Sequence, residues 1–181
     1  YGLDFREAEN YGITGGSEVN DLIAAGDYLK ERSDVDNSRI ALWGGSYGGY
    51  LTAHGLARRS DLFAVGVDIH GVHNWNTELP TFAPHYEESK YPEVAKIAYA
   101  SSPEFYIDGW ESPVLLIHGD DDRNVPFSET VYLAELLRER GVYFEQLIFP
   151  DEVHGFLLHN NWVRAYEATF EFIDRYIGKA K

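Results

Sequence analysis

Short apolar runs alternate with amphipathic stretches along most of the chain. Runs at residues 39–43, 63–69, 113–117 and 143–149 are short and largely apolar, which is typical of strands covered on both faces. Helices are predicted at about residues 17–32, 47–58, 128–140 and 162–177, and glycines end the last two. Ser17 and Ser128 are expected to cap the first and third helices. The alternation predicts an α/β fold with a mostly parallel sheet and helices on both faces.

Residues 74–112 depart from this alternation. The stretch holds eight aromatic residues and four prolines, so we expect an aromatic excursion with short helices above the end of a strand. No internal repeat, low-complexity tract or Ser/Pro-rich linker divides the chain. We therefore interpret residues 1–181 as one partial domain.

The charge and composition exclude several classes of function. The 181 residues include 30 acidic and 15 basic side chains, a net charge of -15 that repels nucleic acid and anionic membrane surfaces. No apolar run of about 18 residues predicts a membrane span, and without cysteine there is no disulfide or thiolate metal site. The chain begins at Tyr1 without an initiator methionine or a leader, so we interpret it as part of a longer protein. Its compartment is undetermined, with the cytoplasm slightly favoured.

A candidate nucleophile follows the first predicted strand. Ligands of open parallel sheets bind beyond the carboxyl ends of the strands. There the sequence reads Gly44-Gly45-Ser46-Tyr47-Gly48-Gly49, which fits a nucleophile elbow, a serine on a strained turn between strand and helix. Ser46 would point into the site, and the backbone amide of Tyr47 would supply one oxyanion donor at the positive end of the next helix.

Two further strand ends carry the residue types that a serine nucleophile needs. An acidic loop with Asp120, Asp121 and Asp122 follows the third strand, and Asp151 and His154 follow the fourth. An imidazole must take the serine proton, and a carboxylate must orient that imidazole. The order of serine, acid and histidine matches the α/β-hydrolases. By residue type all four aspartates are candidates, and the three-Asp run also fits a solvated loop or calcium ligands.

At these residues the chain resembles the catalytic domain of the prolyl oligopeptidase family (S9) of serine peptidases, which includes dipeptidyl peptidases and acylaminoacyl peptidases. The resemblance covers essentially the whole chain and rests on the segments at residues 1–6, 16–21, 43–50, 118–126 and 154–156. It implies the carboxy-terminal part of an α/β-hydrolase fold. In the family pattern H-G-x-x-D-x-x-V, the catalytic acid falls on Asp122, and the catalytic histidine falls on His154.

The resemblance also implies roles in substrate binding. Asn124 matches a residue that holds a backbone carbonyl of the substrate. The pocket for the side chain before the scissile bond would be walled by Tyr47, Val72, Trp75 and Val125; for Val72 and Trp75 ordinary packing is the alternative. No cofactor is expected. We considered a zinc site at Asp68, His70 and His73 and do not predict a metal.

Relatives in the family carry an amino-terminal β-propeller and the first strands of the hydrolase domain, which supply a second oxyanion donor. The present sequence has no counterpart to these segments, so we expect a weak catalyst. We also expect an open strand edge at residues 39–43, which would pair with a second copy or with the missing amino-terminal half.

Three functions stay open. The first is a serine peptidase that cleaves short peptides through an acyl-enzyme. The second is a carboxylesterase with the same triad. The third is a non-catalytic assembly fragment of a larger enzyme of the family.

Overall fold

Helices and strands alternate along the part of the chain described by this computed structural model, residues 2–3 and 16–178. The helices are α1 (Ser17–Glu31), α2 (Tyr47–Arg58), α3 (Trp75–Phe82), α4 (Pro92–Ala100), α5 (Ser128–Glu139) and α6 (His159–Ile177), and a 3₁₀ helix spans Pro103–Gly109. The strands are β1 (Ala41–Gly45), β2 (Val65–Ile69), β3 (Val114–Gly119) and β4 (Phe144–Phe149).

The four strands form one parallel sheet in the order β1-β2-β3-β4. This arrangement confirms the predicted α/β class and the parallel sheet. β1 ends two residues later than predicted, because its pairing with β2 continues through Gly44 and Gly45. Since all four strands run the same way, the loops after them meet at one edge of the sheet.

Among the described residues, the two larger apolar cores lie on opposite faces of the sheet. Val114 and Leu116 of β3 belong to the core that contains side chains of α2, α5 and the 3₁₀ helix. Leu115 and Ile117 alternate with them and belong to the core that contains side chains of α6. This period of two follows from the pleat of a strand. The predicted covering of both faces by helices is therefore confirmed.

β1 is less buried than its apolar sequence predicted. Every residue of β2 and β3 is buried, whereas Trp43 of β1 is 54% exposed. Its indole contacts the ring of Tyr166 of α6, with the ring centroids 5.9 Å apart. The difference arises because β1 pairs on one side only within the described sheet.

Short helices occupy residues 74–112, as predicted, and hydrogen bonds hold the excursion against the rest of the fold. Glu129 Oε2 of α5 accepts hydrogen bonds from the backbone N–H groups of His73 and Asn74, at 2.6 and 2.9 Å. Ser102 Oγ accepts another from the backbone N–H of Trp75 at 2.9 Å. These contacts fix the start of α3 next to the ends of β2 and β3.

The two predicted helix caps are wrong. Ser17 and Ser128 are the first residues of α1 and α5, and Gly16 and Phe127 precede them at the cap positions. Within the described ranges, the helices are all too short or too polar to cross a membrane.

Candidate active site

Ser46 lies on a strained turn between β1 and α2. Its φ of 57° and ψ of -120° are unusual for a residue with a side chain. The turn is held by the backbone N–H of Ser46, which donates to the carbonyl of Ile69 at 2.9 Å. A Cβ on Gly44 would overlap the carbonyl of Gly48, so a side chain is excluded there. Gly48 has open space around it, and sterics therefore explain only one of the two motif glycines.

The acidic loop after β3 directs its three aspartates differently. Asp120 and Asp121 are exposed, whereas Asp122 is buried. The carboxylate of Asp120 accepts a hydrogen bond from the backbone N–H of Asp151, and Asp121 pairs with Arg123 at 3.1 Å. Asp122 is the aspartate that reaches His154.

Four donors surround the Asp122 carboxylate. Oδ1 accepts from the backbone N–H groups of Asn124 and Val125, at 2.9 and 3.0 Å. Oδ2 lies 2.7 Å from His154 Nδ1 and 3.1 Å from His118 Nε2. Burial alone would raise the pKa of Asp122, but these hydrogen bonds outweigh burial and hold the pKa well below its ordinary value. Asp122 is therefore ionised at neutral pH.

Ser46, His154 and Asp122 form a continuous line of hydrogen bonds. His154 Nε2 lies 2.8 Å from Ser46 Oγ, and His154 Nδ1 lies 2.7 Å from Asp122 Oδ2. An ionised carboxylate only accepts hydrogen bonds, so Nδ1 carries the proton that faces Asp122. The lone pair of Nε2 then faces the serine hydroxyl, which is the tautomer that takes a proton from serine.

A cavity of about 160 Å³ opens beside Ser46 and His154. Its lining includes every residue that the sequence predicted for substrate binding: Tyr47, Val72, Trp75, Asn124 and Val125. Val72 and Val125 are also buried in a small apolar cluster against which Tyr47 and Trp75 pack. Packing and pocket lining are therefore compatible at these positions.

The sequence profile of the prolyl oligopeptidase family matches residues 1–180. The chain belongs to the prolyl oligopeptidase family. It is 33% identical over 179 residues to dipeptidyl-peptidase 5 of Porphyromonas gingivalis. The aligned region covers 93% of this chain and 26% of that protein. It is 32% identical over 183 residues to dipeptidyl aminopeptidase BIII of Pseudoxanthomonas mexicana, covering 94% of this chain and 26% of that protein.

The fold is similar to that of solved members of this family of serine peptidases. A puromycin-hydrolyzing peptidase of Mycobacterium tuberculosis superposes with a TM-score of 0.78 at 29% identity, over 92% of this chain and 26% of that one. The predicted family and the predicted α/β-hydrolase fold are confirmed. The chain spans about a quarter of the length of the curated relatives it matches.

Sequence reasoning did not single out Glu78, which also lines the cavity of this family member. Glu78 lies one helical turn after Trp75, and residues three apart share a face of a helix. Once Trp75 is assigned to a pocket wall, this spacing is the sequence signal that points to Glu78. The side chain is buried, and no described residue forms a hydrogen bond with its Oε2.

His70 is a second residue that sequence reasoning left without a role in the site. It follows β2 directly, and its ring lies against that of His154, with the centroids 4.2 Å apart and the ring planes tilted by 36°. Burial, followed by the nearby imidazoles of His154 and His118, lowers the pKa of His70 to about 4. His70 is therefore neutral at pH 7 and adds no positive charge beside His154.

The residues first considered for zinc are used in other ways. His73 Nε2 lies 2.8 Å from Asp68 Oδ2, and both side chains are buried. The donor atoms of His70, Asp122 and His154 lie within 4.8 Å of one another, but two of these residues already form the hydrogen-bonded line to Ser46. A metal ion bound by these three residues would compete with the hydrogen bonds that His154 forms with Asp122 and Ser46.

Proposed function

We propose that this chain carries the catalytic centre of a serine peptidase that hydrolyses short peptides through an acyl-enzyme. The observation that carries the proposal is the line from Ser46 Oγ through His154 to Asp122, with contacts of 2.8 and 2.7 Å. Membership of a family of serine peptidases supports it. In this proposal Ser46 is the nucleophile, His154 is the general base and acid, and Asp122 orients His154.

Acylation begins when Ser46 Oγ attacks the scissile carbonyl carbon and its proton moves to His154 Nε2. A C–O bond forms, and the carbonyl oxygen becomes the oxyanion of a tetrahedral intermediate. Collapse breaks the C–N bond as His154 donates the proton to the leaving nitrogen. The ionised Asp122 stabilises the imidazolium present between these two steps.

Deacylation repeats the same proton transfers with water. His154 Nε2 takes a proton from a water molecule, whose oxygen attacks the ester carbonyl of the acyl-enzyme. The bond to Ser46 Oγ breaks, and His154 returns the proton to that oxygen. The products are a carboxylic acid and an amine, and the enzyme is restored.

Substrate contacts follow from the residues around the cavity. Tyr47 is the first residue of α2, and its backbone N–H lies at the positive end of that helix, so it is proposed to stabilise the oxyanion. Asn124 is proposed to hold a substrate carbonyl. Tyr47, Val72, Trp75 and Val125 would bind the P1 side chain, which precedes the scissile bond.

A fluorophosphonate probe tests the nucleophile directly. We expect stoichiometric labelling at Ser46 in the native protein and none in Ser46→Ala. Folded protein that does not react with the probe would support the non-catalytic alternative. Ser38→Ala is a matched control, because Ser38 is exposed and its hydroxyl donates a hydrogen bond to Asp36.

Paired substrates separate peptidase from esterase. Turnover of an aminoacyl anilide and of a p-nitrophenyl ester is measured with the same protein. We expect both to be hydrolysed and both rates to disappear in Ser46→Ala. Ester turnover without anilide turnover would favour the carboxylesterase.

The open edge of β1 supports a second part of the proposal, that further polypeptide pairs with this strand. Trp43 belongs to β1, the edge strand that has no described partner on its outer side. Its side chain is largely exposed and contacts Tyr166. The partner strand would come from a longer parent chain or from a second copy. A stable, monodisperse monomer of these 181 residues in light scattering would contradict this part.

A further inference from the structure

The cavity beside Ser46 has one carboxyl group that the catalytic steps do not use. Glu78 is 1% exposed and lines the cavity together with Tyr47, Trp75 and Phe82. Its Oε2 is buried and has no hydrogen-bond partner among the residues at 2–3 and 16–178. A buried carboxyl oxygen without a donor is costly, so its presence in a binding cavity indicates a donor on the ligand.

The surroundings of Glu78 favour a positively charged donor. The nearby carboxyl groups of Glu129 and Asp122 add negative potential to that of Glu78 itself. Burial first, and then these two groups, raise the pKa of Glu78 to about 8. A cation in the cavity would offset all three contributions and favour the ionised carboxylate, whereas an anionic ligand would be repelled.

The remaining walls suit a long side chain with a charged end. Aromatic rings of Tyr47, Trp75 and Phe82 line the cavity, and such rings pack against an aliphatic stem and attract a cation over their faces. Phe82 is 72% exposed, which places a large part of its surface in solvent. Lysine and arginine side chains combine an aliphatic stem with a positively charged end.

We propose that Glu78 determines specificity by selecting substrates with lysine or arginine at P1. This inference rests on the proposed function, because the cavity is a P1 site only if Ser46 is the nucleophile. Glu78 is a specificity residue and takes no part in the bond-breaking steps.

The test compares lysine with norleucine, which has a similar aliphatic stem and no ammonium group. Substrates are N-acetyl-lysyl and N-acetyl-norleucyl anilides, so neither carries a free α-amine. We expect a lysine-to-norleucine ratio in kcat/KM of roughly 10 to 100 in the wild-type protein, from one charge-assisted hydrogen bond. In Glu78→Gln that ratio is expected to fall at least about tenfold.

Two features make the ratio specific to the proposed contact. Damage to the fold lowers kcat/KM for both substrates together and leaves their ratio unchanged. Glu93→Gln removes the same charge from the exposed start of α4, outside the cavity, and is expected to retain the wild-type ratio. Glu78→Asp keeps the charge and is expected to retain part of the preference.

A wild-type ratio near one, or an unchanged ratio in Glu78→Gln, would overturn the inference. A loss in Glu78→Gln that appears only with substrates bearing a free α-amine, whatever the P1 side chain, would also overturn it and assign Glu78 to α-amine recognition. In both cases turnover itself would still support the proposed function.

A binding measurement separates failure of the inference from failure of catalysis. Calorimetry with Ser46→Ala compares N-acetyl-lysine methylamide with its norleucine analogue, and requires no turnover. Tighter binding of the lysine compound that is lost in the Ser46→Ala/Glu78→Gln double variant supports the inference. Equal binding of the two compounds contradicts it, whatever the fluorophosphonate labelling shows about Ser46.

Discussion

Asp122 and Glu78 are two buried carboxyl groups near the same candidate site, and their environments differ sharply. Asp122 is 7% exposed and receives hydrogen bonds from two imidazoles and two backbone amides. Glu78 is 1% exposed and has an Oε2 without a described partner. The pKa of Asp122 is lowered, and that of Glu78 is raised to about 8.

Burial acts in the same direction on both groups, and the hydrogen-bond donors around Asp122 reverse its effect there. Backbone amides of a tight loop provide two of the donors to Asp122 without any help from a ligand. Glu78 projects from helix α3, where the local backbone N–H groups of the helix are not available to its side chain. Asp122 is therefore an anion before substrate binds, whereas Glu78 Oε2 has no described donor in the absence of a ligand.

The largest effect is expected from neutralising Asp122. Asp122→Asn keeps the shape but replaces an acceptor with a donor facing His154, so the wrong tautomer is favoured. We expect kcat to fall about 10⁴-fold with little change in KM, measured with an ester substrate. Asp121→Asn, at an exposed position paired with Arg123, is expected to stay within about twofold; an equal loss in the two variants would contradict the assignment.

The two carboxyls are expected to affect stability with opposite pH dependence. Glu78 has a folded pKa of about 8, above its unfolded value of 4.5, so its contribution to stability declines as pH rises between these values. Glu78→Gln removes that decline, and its stability relative to wild type should rise by about 1 to 3 kcal/mol from pH 5 to pH 8.5. Urea unfolding at both pH values measures this change.

Asp122 has a lowered pKa, so it contributes stability above the unfolded pKa that is lost as pH falls through the folded value. Asp122→Asn is therefore expected to be destabilised at pH 7, with a penalty that shrinks in acid. Glu93→Gln serves again as the exposed control. The same sign of pH dependence in the Glu78 and Asp122 variants would invalidate the comparison.

A smaller effect is expected from His118, which acts on Asp122 as a positioning residue. Its Nε2 contacts Asp122 Oδ2 and the carbonyl of Val125, both acceptors, so Nε2 carries a proton. His118→Phe removes this donor, and we expect kcat to fall about tenfold with KM unchanged. His118→Gln restores an N–H near the same place and should recover most of the loss.

The exposed His159 at the start of α6 provides the matched control, since His159→Phe leaves Asp122 untouched. No recovery in His118→Gln, despite normal folding by circular dichroism, would mean that His118 contributes packing alone. In that case His118 would not count among the hydrogen-bond donors that separate the environment of Asp122 from that of Glu78.

Much of the fold follows from local sequence. Apolar runs predicted the bounds of the strands to within about two residues, because a strand covered on both faces is continuously hydrophobic. Burial was predicted less well for β1 and β4, which lie at the two edges of the described sheet and are only partly buried. An apolar run indicates a strand, but it does not show which strands lie beside it in the sheet.

The sequence by itself also determined that a serine, acidic residues and a histidine follow three different strands, since parallel strands bring their carboxyl ends to one edge. Only the tertiary structure decided which atoms meet there. Ser46 and His154 are 108 residues apart in the chain, and their 2.8 Å contact depends on the order of the strands. The spacing from Trp75 can place Glu78 on the same helix face, but only the tertiary structure shows that its Oε2 is buried without a described donor, because that depends on the folded surroundings.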